Sequence, residues 1–355
     1  MRKFLKKIIT WVNIAVAASL LLSYLAVIIN PARFALPAFF GLAYPYLLLL
    51  NMVFVIAWGI KFRKEALISA ITILLGLTHF NNYMQFGKAS DGDYDFRLAS
   101  YNVRLFNRWE EDNKSEEQVI ALLEQDLPDI VCFQEFYPSY GLKNVEYTFV
   151  DAIEYDYYYH IKLQDSSGKT SPGILTISKY PIINMGDIVH PESASLTIFS
   201  DIVINSDTIR VYNNHLQSFR LMRMEKSFLS QIGADKGMLE LKSISKSLKH
   251  GFAERAVQSM SVKEHINSSP YPVIVCGDFN DTPVSFSYRK IRKGLMDAFV
   301  EAGTGAGFTY KDKYPPNRID YILYDDTFRC TGFNLNRVNY SDHYPVTANM
   351  KFNLK

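Results

Sequence analysis

Short segments of this 355-residue chain set acids, amides and imidazoles at the ends of apolar runs. Asn102 closes LASYN (98–102), Glu135 closes DIVCFQE (129–135) and His215 closes VYNNH (211–215). Asp278 and Asn280 close VIVCGDFN (273–280), and Ser341-Asp342-His343 precedes a last apolar run. Strand ends are rigid places from which side chains project into a cleft. Asp278 and Asn280, two apart, project to one side if the backbone stays extended. Carboxylate and amide oxygens suit a hard cation such as Mg²⁺ or Mn²⁺. His215 and His343 supply proton-transfer or charge-stabilising groups, and Asp320 and Asp342 are available to orient them. Metal, carboxylate, amide and imidazole are the parts needed to bring water onto a phosphorus centre. Each piece alone is ordinary, because an Asp or Asn after a strand is most often a turn former. Their order along the chain is the specific signal.

The elements that must position these residues alternate between strand-like and helix-like. Runs rich in β-branched and aromatic residues predict strands over 96–102, 129–134, 157–162, 173–178, 195–204, 209–214, 272–276, 318–323 and 344–350. Ser115-Glu116-Glu117-Gln118 resembles a capping box that opens a helix to about Gln125. Further helices are expected over 219–232, 235–249 and 254–267, with breaks near Gly233 and Gly237. Residues 219–249 read as an insertion after the His215 segment, either a surface excursion packed on the domain or a stretch that touches membrane or substrate. The three cysteines, Cys132, Cys276 and Cys330, have no CxxC spacing. That argues against a disulfide framework or a zinc site and for small core residues.

The first quarter of the chain is different. Residues 1–87 hold eight Lys or Arg and one acid, whereas the remainder holds 30 basic and 35 acidic residues. The two parts therefore carry about +7 and −5, which the overall +2 conceals. Uncharged stretches at 8–29, 34–60 and 66–86 are each as long as the ~20 residues a helix needs to cross a bilayer core. They predict a membrane anchor of three transmembrane helices over 1–87, a polar linker over 88–95 and a catalytic domain over 96–355. Basic residues cluster in the N-terminal tail and in the loop at Lys61, Arg63 and Lys64. The positive-inside rule then makes both cytoplasmic and puts the catalytic domain outside the cytoplasm. The bilayer is one expected partner and a phosphoester substrate the other; no protein partner is implied.

In SYN (100–102), PDIVCFQE (128–135), NNHL (213–216), GDFN (277–280), RIDYIL (318–323) and SDH (341–343), the chain resembles the endonuclease/exonuclease/phosphatase superfamily. The resemblance covers residues 95–352 and follows the family's motif order. It implies an α/β fold, the four-layer α-β-β-α sandwich of deoxyribonuclease I-like proteins, here preceded by about three transmembrane helices. It implies that Glu135 is the principal metal ligand, with Asn102 and Asp342 near the metal. It implies that Asp278 and Asn280 handle the nucleophile and the scissile phosphate, and that His343, held by Asp320, is the catalytic histidine. His215 resembles the second histidine, and Asn102 and Asn213 fall where substrate is bound.

The His215 segment looks more like the sphingomyelinase and deoxyribonuclease I branches than the exonuclease III type. GDFND (277–281) and NRID (317–320) depart from the inositol 5-phosphatase motifs. The expected function is a membrane-anchored, Mg²⁺- or Mn²⁺-dependent phosphoester hydrolase, in the first place a phosphodiesterase. A membrane-tethered nuclease is the alternative, although a part carrying about −5 lacks the positive excess that phosphate contacts demand. A catalytically dead membrane module is third, because Glu135, His215, Asp278, Asn280, Asp320 and His343 are all present.

Overall fold

β-Branched and aromatic runs become the strands of two sheets in the computed structural model. It describes residues 2–87, 92–110, 113–125, 128–137, 158–163, 172–191, 193, 195–219, 234–311 and 316–353. The chain forms two compact units. One comprises residues 83–217, 260–280 and 291–355; the other comprises 1–82, 218–259 and 281–290.

The first unit is a sandwich. Its first sheet contains β2 (Phe96–Asn102), β3 (Ile130–Phe136), β4 (Tyr158–Leu163), β5 (Gly173–Ser178), β13 (Phe328–Leu335) and β14 (Val346–Phe352). They lie in the order β13-β14-β2-β3-β5-β4. The second contains β6 (Ile182–Asp187), β7 (Leu196–Ile204), β8 (Asp207–His215), β9 (Val273–Asp278), β10 (Met296–Asp297) and β12 (Asp320–Tyr324). Its order is β10-β12-β9-β8-β7-β6. Each sheet has one parallel pair, β2 with β3 and β8 with β9, beside antiparallel neighbours. Both pairs carry the chemistry-bearing motifs at their C-terminal ends.

Period-two alternation explains the layers. Leu98, Ile130, Cys132, Val211, Ile274, Cys276 and Ile322 meet between the sheets. Ala99, Tyr101, Val131 and Phe133 turn to the other face, where Val119 and Leu123 of α6 (Ser115–Gln125) cover them. Each buried aliphatic side chain contributes roughly 1.5–3 kcal/mol. The cysteines are free, with Cys132 and Cys276 buried in the inter-sheet core. Helix α6 starts where expected, but its first amide is capped by the Asn113 side chain, which accepts from Ser115 N at 2.9 Å. A two-residue strand β1 (Met84–Gln85) pairs with β11 (Gly305–Ala306).

The second unit is helical, and it buries polar groups while leaving many apolar side chains exposed. It contains α1 (Arg2–Leu25), α2 (Leu36–Leu42), α3 (Tyr44–Gly59), α4 (Ala66–Leu75) and α5 (Leu77–Asn81). Asn13, Ser23, Asn51 and Ser69 are fully buried, while Trp11, Ile28, Ile56 and Leu75 are more than 60% exposed. The buried polar groups bond one another and the backbone. Ser69 Oγ donates to Asn13 Oδ1 at 2.6 Å, Asn13 Nδ2 to Glu65 O at 3.2 Å, and Asn51 Nδ2 to Leu47 O at 2.8 Å.

The expected three transmembrane helices are not what forms. Among the described residues, only α1 is by itself long and apolar enough to cross a membrane. The 34–60 stretch is bent by 69° between α2 and α3. Pro45 sits in the first turn of α3, where its missing N–H and fixed φ favour a helix start over continuation. The 66–86 stretch stops as α4 at Leu75; Gly76, the single turn α5 and strand β1 follow. Ten helical residues reach about 15 Å, half of a bilayer core.

A second correction concerns the region after His215. Residues 220–233, covering nearly all of the expected 219–232 helix, lie outside the described residues. The expected 235–249 and 254–267 helices are one helix, α7 (Ala234–Asn267). Gly251 passes through its interior because the Phe219 ring occupies the space beside it.

Candidate active site

The second sheet aligns three of the chemical side chains in one row. His215 is the register partner of Asp278 in the parallel β8–β9 pair, and Asp278 that of Asp320 in the antiparallel β9–β12 pair. The close approach of β9 to β8 requires Gly277. Its φ is +125°, and a Cβ there would lie 2.0 Å from Asn214 O. The first sheet brings Asn102 and Glu135 to the same place, at the ends of β2 and β3.

Glu135 reaches the cleft through a distorted backbone. Its φ is +49°, and the β3–β5 register shifts between Phe133 and Phe136. A left-handed conformation costs a non-glycine residue about 1–2 kcal/mol, and such strain collects at functional sites. The Glu135 carboxylate is a quarter exposed and lies 3.5 Å from His215 Nε2. Asn102 Nδ2 donates to it at 3.3 Å and to Asp278 Oδ2 at 3.0 Å. Burial disfavours the Glu135 anion, but the hydrogen bond and charge of His215, the charge of His343 and the Asn102 bond outweigh it, holding the carboxyl at about 2.

Asp278 is buried and densely bonded. Its Oδ1 accepts from Asn280 N at 2.7 Å, and its Oδ2 from Asn280 Nδ2 at 3.2 Å. Burial, with the Asp320 charge beside it, pushes its carboxyl up to about 6 against the pull of both histidines. Asn280, at φ +52°, also donates from Nδ2 to Leu216 O at 2.9 Å.

His343 is fixed on three sides. Nδ1 is 2.9 Å from Asp320 Oδ2, the ring lies edge-on to Tyr310, and its backbone N donates to Ser341 Oγ. Its Nε2 faces Asp278 Oδ2 at 3.8 Å and Asp342 Oδ1 at 3.9 Å. Burial opposes the imidazolium, yet the charges of Asp320 and Asp278 and the Asp320 hydrogen bond push it up to about 10. His215 is also raised, burial being outweighed by its bond to Glu135 and the charges of Glu135 and Asp278.

Asp342 turns toward a residue that the sequence reading missed. Its Oδ2 lies 3.1 Å from Arg104 Nε. Arg104 opens a turn in which Arg104, Leu105, Phe106 and Asn107 all have φ between 49° and 53°. The Arg104 amide donates to Asn102 Oδ1, and its guanidinium stacks on the half-exposed Trp109. The sequence signal was a cation two residues beyond Asn102; the left-handed turn that aims it leaves no mark in residue type.

Asn213, expected where substrate is bound, does not join the cluster. Two residues from His215, it shares that face but sits about 6–7 Å deeper along the strand. There its Nδ2 donates to Phe133 O, Leu175 O and Thr176 Oγ1, and its Oδ1 accepts from Gln134 Nε2. It ties the two sheets together.

The donor chemistry fits a divalent cation. Glu135, Asp278, Asp320 and Asp342 bring four carboxylates against His215, His343 and Arg104, and the buried Asp320 Oδ1 lacks a hydrogen-bond partner. Asp278, Asp320 and His343 also offer ligand atoms within 4.8 Å of one another. In that group the His343–Asp320 hydrogen bond already uses one donor and one acceptor, so the oxygen donors of Glu135, Asn102 and Asp342, which carry no imidazole pairing of that kind, suit a hard ion better.

Residues 99–343 match the family model described as Endonuclease/Exonuclease/phosphatase family, and residues 6–83 match a domain of unknown function. Among solved structures, the chain is similar to an endonuclease/exonuclease/phosphatase family protein from Bacteroides thetaiotaomicron, at 18% identity over 73% of this chain and 98% of that one, with TM-score 0.53. It is similar to a mannosyl-6-phosphatase from the same organism, at 19% over 72% and 100%, TM-score 0.51. It is also similar to a humanized D. rerio TDP2, at 16% over 72% and 98%, TM-score 0.52. At these identities the likeness is one of fold. No curated protein matches the chain by sequence.

Proposed function

This chain belongs to the endonuclease/exonuclease/phosphatase family, and from that premise we propose that it is a membrane-held, Mg²⁺- or Mn²⁺-dependent hydrolase of phosphodiesters. The observation that carries the reading is the row His215–Asp278–Asp320, with His343 locked to Asp320 at 2.9 Å. Glu135 and Asn102 face that row from the other sheet. Glu135, Asn102 and Asp342 would hold the cation, which supplies Lewis-acid polarisation of the phosphoryl oxygens.

The protein's own residues then divide the work. Asn280 and Asp278 orient the attacking water. Asp278, at about 6, is a base poised near neutral pH and takes its proton. His343, held charged by Asp320, faces the phosphoryl group and stabilises the negative charge that develops there. His215 stands beside Glu135 as the second cationic partner.

The bilayer reading rests on α1 and on the many exposed apolar side chains of the helical unit. With Arg2, Lys3, Lys6 and Lys7 retained in the cytoplasm, one crossing puts the catalytic residues outside it, as three would. The substrate is accordingly a phosphodiester met at or near a membrane. A nuclease is the second reading. Its support is a neighbour of like fold, D. rerio TDP2, solved with a single-strand DNA product. Against it stands the charge of about −5 after residue 87.

The test is an assay of the full chain with Mg²⁺, Mn²⁺ or EDTA against bis(4-nitrophenyl) phosphate, sphingomyelin, inositol phosphates and plasmid DNA. Turnover of diesters that EDTA abolishes is expected. Undiminished turnover in EDTA would end the metal-dependent reading, and activity confined to DNA would make the second reading the right one.

A further inference from the structure

Asn280 is held in a left-handed conformation, so what fixes the chain immediately after it matters for its aim. The following segment, Asp281–Ser285, is buried throughout and belongs to the helical unit. Within that unit two contacts hold it. The first is an ion pair. Arg255 on α7 is fully buried, and its Nε donates to Asp281 Oδ2 at 3.1 Å. Its guanidinium lies 4.0 Å from the Phe219 ring centre and 5.4 Å from that of Phe252. Phe252 in turn meets Phe39 of α2 edge-on at 5.2 Å. The second contact is a close backbone approach. A Cβ on Gly41 of α2 would lie 2.4 Å from Val284 O and 2.7 Å from Ala26 Cβ. Glycine is the residue that lets α2, the end of the α1 region and the 281–285 segment come together.

We infer that the N-terminal helices clamp the exit of the GDFN turn, which makes Arg255 and Gly41 positioning residues for Asn280. The inference builds on the proposed function, in which Asn280 orients the attacking water. A peptide bond joins Asn280 to Asp281, so a displacement of Asp281 is passed directly to the Asn280 ψ and to its two bonds with Asp278. Arg suits this task better than Lys. Its planar fork bonds a carboxylate while stacking on rings, whereas an ammonium does one or the other. The arrangement couples a helical unit with an apolar exterior to the geometry of a catalytic turn. Loosening the helices should therefore slow chemistry without removing any group that touches substrate.

The experiment uses the full chain in detergent micelles with Arg255→Met, the milder Arg255→Lys, Gly41→Ala, and Val257→Ala as a control from the exposed face of α7. Hydrogen–deuterium exchange is followed in peptides covering 277–285, and in peptides covering β3 and β12. Steady-state hydrolysis of bis(4-nitrophenyl) phosphate is measured alongside. For Arg255→Met and Gly41→Ala we expect exchange at 277–285 to accelerate about tenfold with β3 and β12 unchanged. We expect kcat to fall about 10- to 100-fold with KM within about twofold, the signature of misplacement in place of lost binding. Arg255→Lys should fall between Arg255→Met and the wild type, and Val257→Ala should match the wild type. Unchanged exchange at 277–285 would overturn the clamp. So would equal acceleration across all peptides, or a loosened turn with an unchanged kcat. If the wild type hydrolyses no phosphoester, the functional reading fails and the exchange data alone decide whether the turn is clamped.

Discussion

In the sandwich, the side chains wholly withdrawn from solvent are chiefly Ile, Val, Leu and Phe. In the helical unit they include Asn13, Ser23, Asn51 and Ser69, and many large apolar side chains, such as Trp11, Ile28, Ile56 and Leu75, face outward. The first pattern is what water imposes. The second fits the proposed bilayer, a solvent without hydrogen-bonding power in which buried polar groups bond each other and apolar surface costs nothing outside. The sandwich departs from its own rule most densely in one place. At the C-terminal ends of β2, β3, β8 and β9 it buries four carboxylates and two imidazoles together. Such a concentration of charge in a core is expensive unless paired, and it marks where chemistry outweighs stability.

The largest effect should come from that exception. Glu135→Gln preserves shape and the Asn102 contact but removes the charge that would hold the proposed cation and that faces His215. We expect turnover to fall about 10³-fold or more, with a modest drop in melting temperature, since the anion that His215, His343 and Asn102 favour is gone. A stopped assay and a thermal melt of the same preparation check this. Near-normal turnover would mean that the cluster is structural after all, and that the sandwich has no functional exception.

Next comes the His343–Asp320 pair. His343→Ala should cost about 10²–10³-fold in kcat, the loss expected of a group that stabilises developing charge. Asp320→Asn removes the carboxylate that fixes the Nδ1–H tautomer and sustains the imidazolium, and should cost much of the same factor. Because the two act as a unit, the double variant should be scarcely slower than His343→Ala alone. Multiplying penalties in the double-mutant cycle would separate them.

The comparison can be broken by one substitution made twice. Ile14 lies in the middle of α1 and Ile183 on the edge strand β6, and both are exposed. Ile14→Lys places a charge where lipid is expected, at a cost of about 2.5–3.5 kcal/mol on insertion scales. Ile183→Lys faces water and should change stability by less than about 0.5 kcal/mol. Carbonate-resistant membrane recovery should drop for the first variant and hold for the second. Equal behaviour of the two would erase the difference between the units. A reporter fused after residue 87 reads the side of the membrane from the same strains.

How much of this was legible in sequence depended on which physics leaves a compositional trace. Strands carrying chemistry were legible because they are buried on both faces and read as apolar runs ending in Glu135, His215 or Asp278. Strands β6 and β13 were missed. β6 is an edge strand with mostly outward side chains, and β13 carries a register shift between Cys330 and Gly332 that spoils its alternation. The His343–Asp320 approach was accessible only through the motif resemblance, since 23 residues separate them. Asn213 misled because residue type and spacing give a face but not a depth. Arg104 was missed because a run of left-handed non-glycine residues has no signature in type. The apolar stretches were counted correctly as apolar, but hydropathy does not register the restart at Pro45 or the stop at Gly76.

The smallest expected effect tests the sandwich away from its site. His190 is buried there, with Nε2 2.9 Å from Thr197 Oγ1. Burial pushes its imidazole down to about 4 from an ordinary 6.5. The sign follows from linkage: the unfolded chain binds this proton more readily than the folded one. The neutral ring's contribution is intact above pH 6.5 and is lost as pH falls from 6.5 toward 4. From a shift of that size, about 2 kcal/mol should disappear between pH 7 and pH 5. His190→Gln keeps a neutral hydrogen-bonding group without a titration. It should remove most of that slope while leaving turnover at pH 7 unchanged. Denaturant melts of wild type and variant at the two pH values measure the difference directly. If the wild type loses no more stability than His190→Gln, then His190 titrates freely in the folded sandwich and its burial constrains nothing.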